Sequence, residues 1–227
     1  MRFNVQCTAV DREADLDVEF VLLAGYTGRD QEAVRAHIAE LARHGVAAPE
    51  QVPAVYAVPA TRLVTTPRID VHGARTAGEA EFVILDDGGR LLIGLGSDHT
   101  DRELEEHSVV KSKQTCDKPM SPVLWEFDDI AEHWDRLRLR AEVRTRTGWR
   151  RYQDGTTASL LTPNQILLEV GKRVGPLAGA AVFSGTVPLV EGEFRHGPGF
   201  RATLEDPVLG RSLVCEYAVR ELPDIAC

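Results

Sequence analysis

Residues 79–98, EAEFVILDDGGRLLIGLGSD, limit what this chain can fold into more than any other stretch. Residues 79–85 and 90–95 are apolar runs of strand-forming residues, and the DDGG between them is a strong hairpin turn. Side chains alternate across a strand, so Glu79 and Glu81 share a face with Val83 and Leu85, while Ala80, Phe82 and Ile84 take the other. Both faces are apolar beyond the glutamates, the pattern of a strand covered on each side. The fold must therefore supply a layer of structure above this hairpin and another below it.

The rest of the chain is read around that hairpin. Residues 3–8 alternate, with Phe3, Val5 and Cys7 on one face, and Glu19–Ala24 is a short apolar run; both are predicted strands. A helix is predicted from about Gln31 to His44, with Asp30 as N-cap, Val34, Ile38 and Leu41 as its apolar stripe, and Gly45 at its end. Residues 46–70 read as Pro-rich and irregular. A short helix around Phe127–Arg136 and an alternating strand Leu137–Arg144 follow. Thr162-Pro163 has the N-cap and first-turn order of a further helix running to about Val170. Strands are predicted near Ala180–Ser184, Phe200–Leu204 and Leu213–Val219. Strands outnumber helices, so the fold class is α+β and β-rich. Its 227 residues suit one large domain, 1–227, with 1–70 as an N-terminal strand-helix cap region and 71–227 as the core.

Composition excludes several roles. The formal net charge is -9, which argues against a nucleic-acid partner. The densest basic stretch, RLRLRAEVRTRTGWRR, alternates as a strand with one solvated face does. No run of apolar residues is long enough for a membrane helix, and the first residues show no basic region followed by an apolar run, so neither a membrane role nor a secretory signal is expected. Cys7, Cys116, Cys215 and Cys227 form no CxxC pair and predict a reduced, cytoplasmic chain. His99, His107 and His133 lack zinc-site spacing. Cys116 lies near Lys113 and Lys118, which would lower its pKa, yet no sequence-adjacent histidine marks it as a nucleophile. Trp125, Trp134 and Trp149 are predicted core residues.

The candidate chemistry lies at the mouth of the hairpin. Burying an unpaired carboxylate costs several kcal/mol and two adjacent ones repel, so Glu79 and Glu81 need compensation that a divalent cation supplies. Pairing centred between Asp87 and Gly88 sets Gly96 opposite Glu79, with Asp98 on the same face two residues further on. A register slip of one residue would turn Asp98 away. Oxygen-only ligands favour Mg2+, Mn2+ or Ca2+ over zinc. Taken alone, Glu-Ala-Glu suits a solvated edge strand better, and it is the hairpin to GLGSDHTD that brings the two readings level.

From Gly78 onward the sequence resembles the fumarylacetoacetate hydrolase superfamily, and within it a bacterial branch. GEAEFVI is similar to the superfamily's Glu-x-Glu strand, and GLGSDHTDRELE to its segment written roughly G-x-x-N-D-x-x-A-R-D-L-Q. KSKQTCDKPMSP resembles the lysine segment ending in Pro-x-Gly-Pro, RYQDGTTASLLTPNQIL the Gln-rich turn and following helix, and FSGTVP the Thr-Gly-Thr-Pro loop. GYTGRD lies where the family has Asn-Tyr-x-x-His. The order of all six segments agrees.

The resemblance implies a mixed β-sandwich roll with flanking helices and a homodimer. It makes Glu79, Glu81 and Asp98 the metal ligands and Lys111 or Lys113 the active-site lysine. Gly185 and Thr186 would hold a substrate carboxylate, with Tyr152 and Gln153 facing the substrate. Departures are Ser97 for Asn, Ser121 for Gly, and a shorter interval before Asp98. The family's water-activating His-Glu pair has no clear match. His37 and Glu40, spaced i, i+3, would take that part or form a solvated helix face. The expected function is metal-dependent hydrolysis of a C–C bond in a small 2-oxo or β-diketo acid such as an acylpyruvate. The alternatives are a decarboxylase or hydratase at the same site, or a small-acid-binding module without turnover.

Overall fold

A computed structural model of the chain describes residues 1–43, 48–223 and 225, with only the backbone described for residues 37 and 40–43. The elements of the first third are β1 (Arg2–Gln6), β2 (Arg12–Asp15), β3 (Phe20–Gly25), α1 (Gln31–Arg43), β4 (Ala54–Pro59), β5 (Leu63–Val64), β6 (Arg68–His72) and β7 (Thr76–Ala77). The middle contains β8 (Ala80–Asp87), β9 (Arg90–Ser97), β10 (Thr100–Asp101), α2 (Arg102–Glu105), α3 (Val109–Thr115), β11 (Lys118–Pro119) and β12 (Val123–Glu126). The remainder holds β13 (Arg138–Thr145), β14 (Gly148–Thr156), α4 (Pro163–Val174), β15 (Ala180–Phe183), β16 (Gly199–Asp206) and β17 (Arg211–Leu222). This is the strand-rich α+β architecture read from the sequence.

Two main sheets carry it. The larger has eight strands in the order β2-β1-β12-β9-β8-β15-β3-β4, and the smaller has five in the order β14-β13-β16-β17-β6. Strands from residues 2–59 and from residues 80–126 are thus interleaved in one sheet. One face of β8 (Phe82, Ile84) joins an apolar cluster with Leu139, Ala141, Phe200, Ala202 and Leu213 of the smaller sheet and Ile166 and Val170 of α4. The other face (Val83, Leu85) joins Phe3, Val5, Leu23, Val58, Leu92 and Phe183. No helix among the described residues contributes to that second cluster, whose residues come mainly from strands of the large sheet, with Leu63 of β5 and Met120 after β11. Residues 80–85 are all buried, which is why β8 reads as a continuous apolar run.

Several local expectations hold for the expected reasons. Asp30 Oδ1 accepts from the N–H groups of Glu32 (2.9 Å) and Ala33 (3.0 Å), capping α1. Thr162 and Gln165 form a capping box at the start of α4. In β13 the buried residues are Leu139, Ala141 and Val143, and the arginines of the basic stretch face outward. The expected helix end at Gly45 and the stripe residue Leu41 lie outside the described residues.

Other expectations are corrected. The stretch read as irregular, residues 46–70, contains β4, β5 and part of β6. β4 runs from Ala54 to Pro59 at an edge of the large sheet, where proline is tolerated because no ladder bond is lost. The hairpin pairs Asp87 with Arg90, so the turn is Gly88-Gly89 rather than Asp87-Gly88. Both glycines have positive φ (63° and 94°), which a two-residue primed turn requires and which only glycine adopts freely. Trp125 and Trp134 are core residues, but Trp149 is only half-buried, with the Arg201 guanidinium 4.2 Å above its ring. Burial pushes the Cys116 thiol up, against the expected lowering by its lysine neighbours.

Asp206 shows how tightly the second sheet's turn is fixed. Its buried carboxylate accepts from the N–H groups of Val208 (2.9 Å) and Leu209 (3.1 Å), and His133 Nε2 lies 3.0 Å away. Burial alone would raise its pKa, but His133 and the two N–H groups hold it below the usual carboxylate range. A depressed folded value contributes stability that is whole above the ordinary aspartate pKa of about 4 and is lost as pH falls through the folded value. Asp206→Asn is therefore expected to destabilise the protein by on the order of 1 kcal/mol in urea unfolding at about pH 5. The gap between variant and wild type should shrink toward about pH 2; a gap independent of pH would contradict this role.

Candidate metal centre

Glu79, Glu81 and Asp98 come together at the mouth of the β8–β9 hairpin, each offering an oxygen within 4.8 Å of the others. Glu81 lies opposite Gly96, and the Asp98 N–H donates to the Glu79 carbonyl (3.0 Å). Asp98 is thus directly across from Glu79. The expected pairing was displaced by one residue on each strand, and the parity of the faces survives such a shift. All three side chains lie on the face of β8 and β9 that carries Val83, Leu85 and Leu92. Among the described residues this is the one group of three or more metal-ligating side chains so close together.

Each carboxylate has a different partner. Glu79 Oε2 is 3.0 Å from Arg102 Nη2, and Arg102 Nη1 donates to Glu105 Oε2 (2.8 Å). The Nη2 N–H is poorly aligned with Glu79, so buried Arg102 keeps Nε and Nη2 without a well-directed acceptor. Phe194 covers this guanidinium, its ring centroid 3.9 Å from the central carbon. Asp98 Oδ2 accepts from Lys113 Nζ, and Asp98 Oδ1 is 3.1 Å from Lys118 Nζ, which also donates to the His99 carbonyl (2.6 Å). Glu81, only 3% exposed, accepts from the Gly185 N–H (2.9 Å).

The charges follow from these contacts. Burial, together with the charges of Asp98 and Glu79, pushes the Glu81 carboxyl well above the usual carboxylate range. Burial would raise Asp98 too, but the Lys113 and Lys118 ammonium groups hold it well below that range. Burial would lower Lys113, but Asp98 and Glu79 outweigh it and raise its pKa. His99 is pushed down to about 3, by burial first and then by Lys118 and Arg102. Its Nδ1 lies 2.9 Å from the Tyr217 hydroxyl, which donates to Ser97 Oγ (2.8 Å). The donor set fits a hard divalent cation: three carboxylate oxygens converge, and an ionised Glu81 needs more than one backbone N–H to offset its buried charge.

The loop after β15 holds Glu81 in place. The Ser184 N–H donates to the Phe82 carbonyl (3.1 Å), and Thr186 Oγ1 donates to the Ala80 carbonyl (2.8 Å). Gln153 ties the same parts together: its Oε1 accepts from the Ala80 N–H (2.9 Å), and its Nε2 donates to Thr186 Oγ1 (2.6 Å) and the Val187 carbonyl (2.8 Å). A bulge opposite Ala141 and Glu142 explains how consecutive Tyr152 and Gln153 both point inward. Gly185 and Gln153, expected at the substrate, thus spend these polar groups on the loop and on Glu81.

Helical geometry sets the two candidate lysines on different sides. Lys111 and Lys113 are two residues apart on α3, about 200° around a helix of 3.6 residues per turn. Lys113 is buried against Asp98, while Lys111 is exposed. Lys118, fully buried beside Asp98, was not singled out for the site; one lysine in a polar segment carries no periodic signal, and only the pairing of β11 with β5 brings it in. Arg102, Glu105, Tyr26 and Tyr56 were missed likewise. Tyr26 has a φ of 59°, an unusual backbone for a non-glycine residue. Lys113 Nζ lies 5.7 Å from the Tyr56 ring centroid. His37 and Glu40 are on α1, but their side chains lie outside the described residues.

The family described as "Protein of unknown function (DUF2848)" matches residues 24–217. No curated protein sequence matches the chain. Among solved structures, Cg1458 matches with a TM-score of 0.65 at 16% identity, over 93% of this chain and 80% of that one. A 2-keto-3-deoxy-D-arabinonate dehydratase in its apo form gives 0.66 at 16% identity, over 94% and 77%. The dehydratase complexed with magnesium and 2,5-dioxopentanoate gives 0.63 at 17% identity, over 94% and 77%. At these identities the likeness is one of fold.

The Gly185 contact is testable. Gly185 has a φ of 80°, and an added Cβ would lie 2.5 Å from Thr27 Oγ1 and 2.9 Å from the Ala24 carbonyl. Gly185→Ala should shift the loop, remove the N–H from Glu81, and weaken Mn2+ binding about 10- to 100-fold by calorimetry while the far-UV spectrum stays native. Unchanged affinity in the folded variant would show that this loop does not set Glu81.

Proposed function

The chain belongs to the DUF2848 family, and on that premise, together with the convergence of Glu79, Glu81 and Asp98, we propose that it is a divalent-metal-dependent enzyme acting on a small 2-oxo acid. The convergence of these carboxylates is the observation that carries the reading. The order of its motifs and the dehydratase-like fold support a place in the fumarylacetoacetate hydrolase superfamily, with residues 1–227 as one catalytic domain. The donor set and the magnesium complex of the similar dehydratase favour Mg2+, with Mn2+ or Ca2+ as substitutes. When bound, the dication supplies Lewis-acid polarisation of a keto oxygen.

Charge balance defines the substrate. With Glu81 ionised against a bound cation, Glu79, Glu81, Asp98 and Glu105 set four negative charges against the three cations Arg102, Lys113 and Lys118. A dication converts the remaining negative charge to one positive charge, which a substrate carboxylate neutralises. Lys113, fixed by Asp98, places an ammonium group where oxyanion charge develops. Lys118 and the His99 carbonyl hold the other Asp98 oxygen in place. Buried Arg102 keeps its positive charge between Glu79 and Glu105. Thr186, half-buried with its hydroxyl donating to the Ala80 carbonyl, is the residue assigned to neighbour a distal carboxylate.

The first reaction assigned is hydrolysis of the C–C bond of an acylpyruvate-like acid. A second reading, elimination of water from a 2-oxo-3-deoxy acid, is favoured by the likeness to the 2-keto-3-deoxy-D-arabinonate dehydratase. A homodimer belongs to the same superfamily reading. No helix of the described residues is long and apolar enough to cross a membrane.

The test is a coupled assay for pyruvate release from acylpyruvates with and without Mg2+, beside assays for dehydration of 2-oxo-3-deoxy acids and for CO2 from oxaloacetate. Mg2+-dependent pyruvate release is expected, and Lys113→Met should lower kcat/KM by about 100-fold or more. Dehydration or CO2 release without acylpyruvate turnover would replace hydrolysis, and no Mg2+-dependent turnover of any of them would overturn the enzyme reading.

A further inference from the structure

Both reactions read from this site move a proton at C3, the carbon beside the keto group. Elimination removes it. Hydrolysis returns one after the C3–C4 bond breaks. The site therefore needs a group that is not committed to holding the dication, can accept a proton, and is open to the substrate.

Most of the titratable groups gathered here fail one of these conditions. Glu79, Glu81 and Asp98 form the carboxylate cluster itself. The Lys113 and Lys118 ammonium groups are donors already directed at Asp98 and the His99 carbonyl. Buried His99 has its Nδ1 on Tyr217 and its Nε2 enclosed. Tyr26 and Tyr56 have phenols whose pKa burial raises, so they are donors at neutral pH.

Glu105 meets all three. Its Oε2 accepts from Arg102 Nη1 (2.8 Å), and the same guanidinium lies 3.0 Å from Glu79, so one side chain joins Glu105 to the carboxylate cluster. The Glu105 side chain is 20% exposed against 6% for Arg102, which puts it on the outer side. Among the described residues no donor is bonded to its second oxygen, Oε1. Glu105 also influences the charge of Tyr26, Tyr56, Tyr152 and Lys113, which places it with the groups around the mouth rather than on an unrelated surface.

We propose that Glu105 is the catalytic residue that takes up and returns the C3 proton; this inference rests on the 2-oxo-acid reading above. The step balances without a co-reactant. With pyruvate, the C3–H bond breaks and the proton bonds to Glu105 Oε1. The C–H electron pair becomes the C2–C3 π bond, and the carbonyl π pair moves onto the keto oxygen. Reversal returns a proton from Glu105, or a deuteron once the carboxyl has exchanged with D2O.

The experiment follows the methyl signal of pyruvate by proton NMR in D2O with Mg2+, beside calorimetry of Mg2+ and oxalate binding. Wild type should lose the signal. Glu105→Gln should lose it about 100-fold more slowly or worse, with Mg2+ and oxalate affinities within about threefold of wild type. Glu105→Asp keeps the charge but withdraws the oxygen by one methylene, and should slow exchange at least about tenfold. It decides the matter if the glutamine variant does not fold. Exchange at the wild-type rate in either folded variant overturns the proposal. Wild type that binds Mg2+ and oxalate but exchanges nothing overturns the role of Glu105 and leaves the site reading standing. Wild type that binds neither overturns both.

Discussion

Glu81 is a carboxylate taken out of water and set beside two others, and the rest of the site answers that constraint. Glu79 has Arg102, and Asp98 has two lysines, but Glu81 accepts only the Gly185 N–H in what the structure describes. An isolated buried carboxylate costs several kcal/mol, and like charges nearby increase the cost. A folded chain that keeps such a group either protonates it or holds a cation against it. The convergence of all three oxygens is what the second solution needs.

The fold makes that convergence geometrically rigid. Glu81 projects from a strand buried on both faces, and Asp98 follows directly from the strand paired to it. Gly94 and Gly96, on the same face, leave room that Met120 and Phe183 fill closely: a Cβ at either would sit 2.7–2.8 Å from these side chains. The loop after β15 is bonded to Phe82, Glu81 and Ala80 in turn, and Gln153 reaches from the second sheet to brace it. The carboxylates are thus fixed by backbone pairing, while the cations come from two short helices and β11, which pack across the open end of the hairpin.

How much of this was legible in the sequence depends on the range of the interaction. The hairpin, its doubly apolar strands and the shared face of Glu79, Glu81 and Asp98 follow from a period of two, which survives the displaced turn because both strands moved together. The capped starts of α1 and α4 were readable because capping is local. β14 was hidden because its polar residues lie on an edge strand and its two buried residues are consecutive, an effect of a bulge. Lys118, Arg102 and Glu105 reach the site through tertiary pairing, for which their local sequence holds no periodic mark. Lys113 could be told from Lys111 only once α3 had a defined buried side.

The most direct measurement is anomalous diffraction from crystals of the protein grown with Mn2+. The account predicts one strong peak bounded by oxygens of Glu79, Glu81 and Asp98, lost in Glu81→Gln. No peak there, with Glu79 and Asp98 paired only to Arg102, Lys113 and Lys118 and Glu81 still on Gly185, would show that the cluster is an ion-pair network and that the metal-dependent chemistry built on it is wrong.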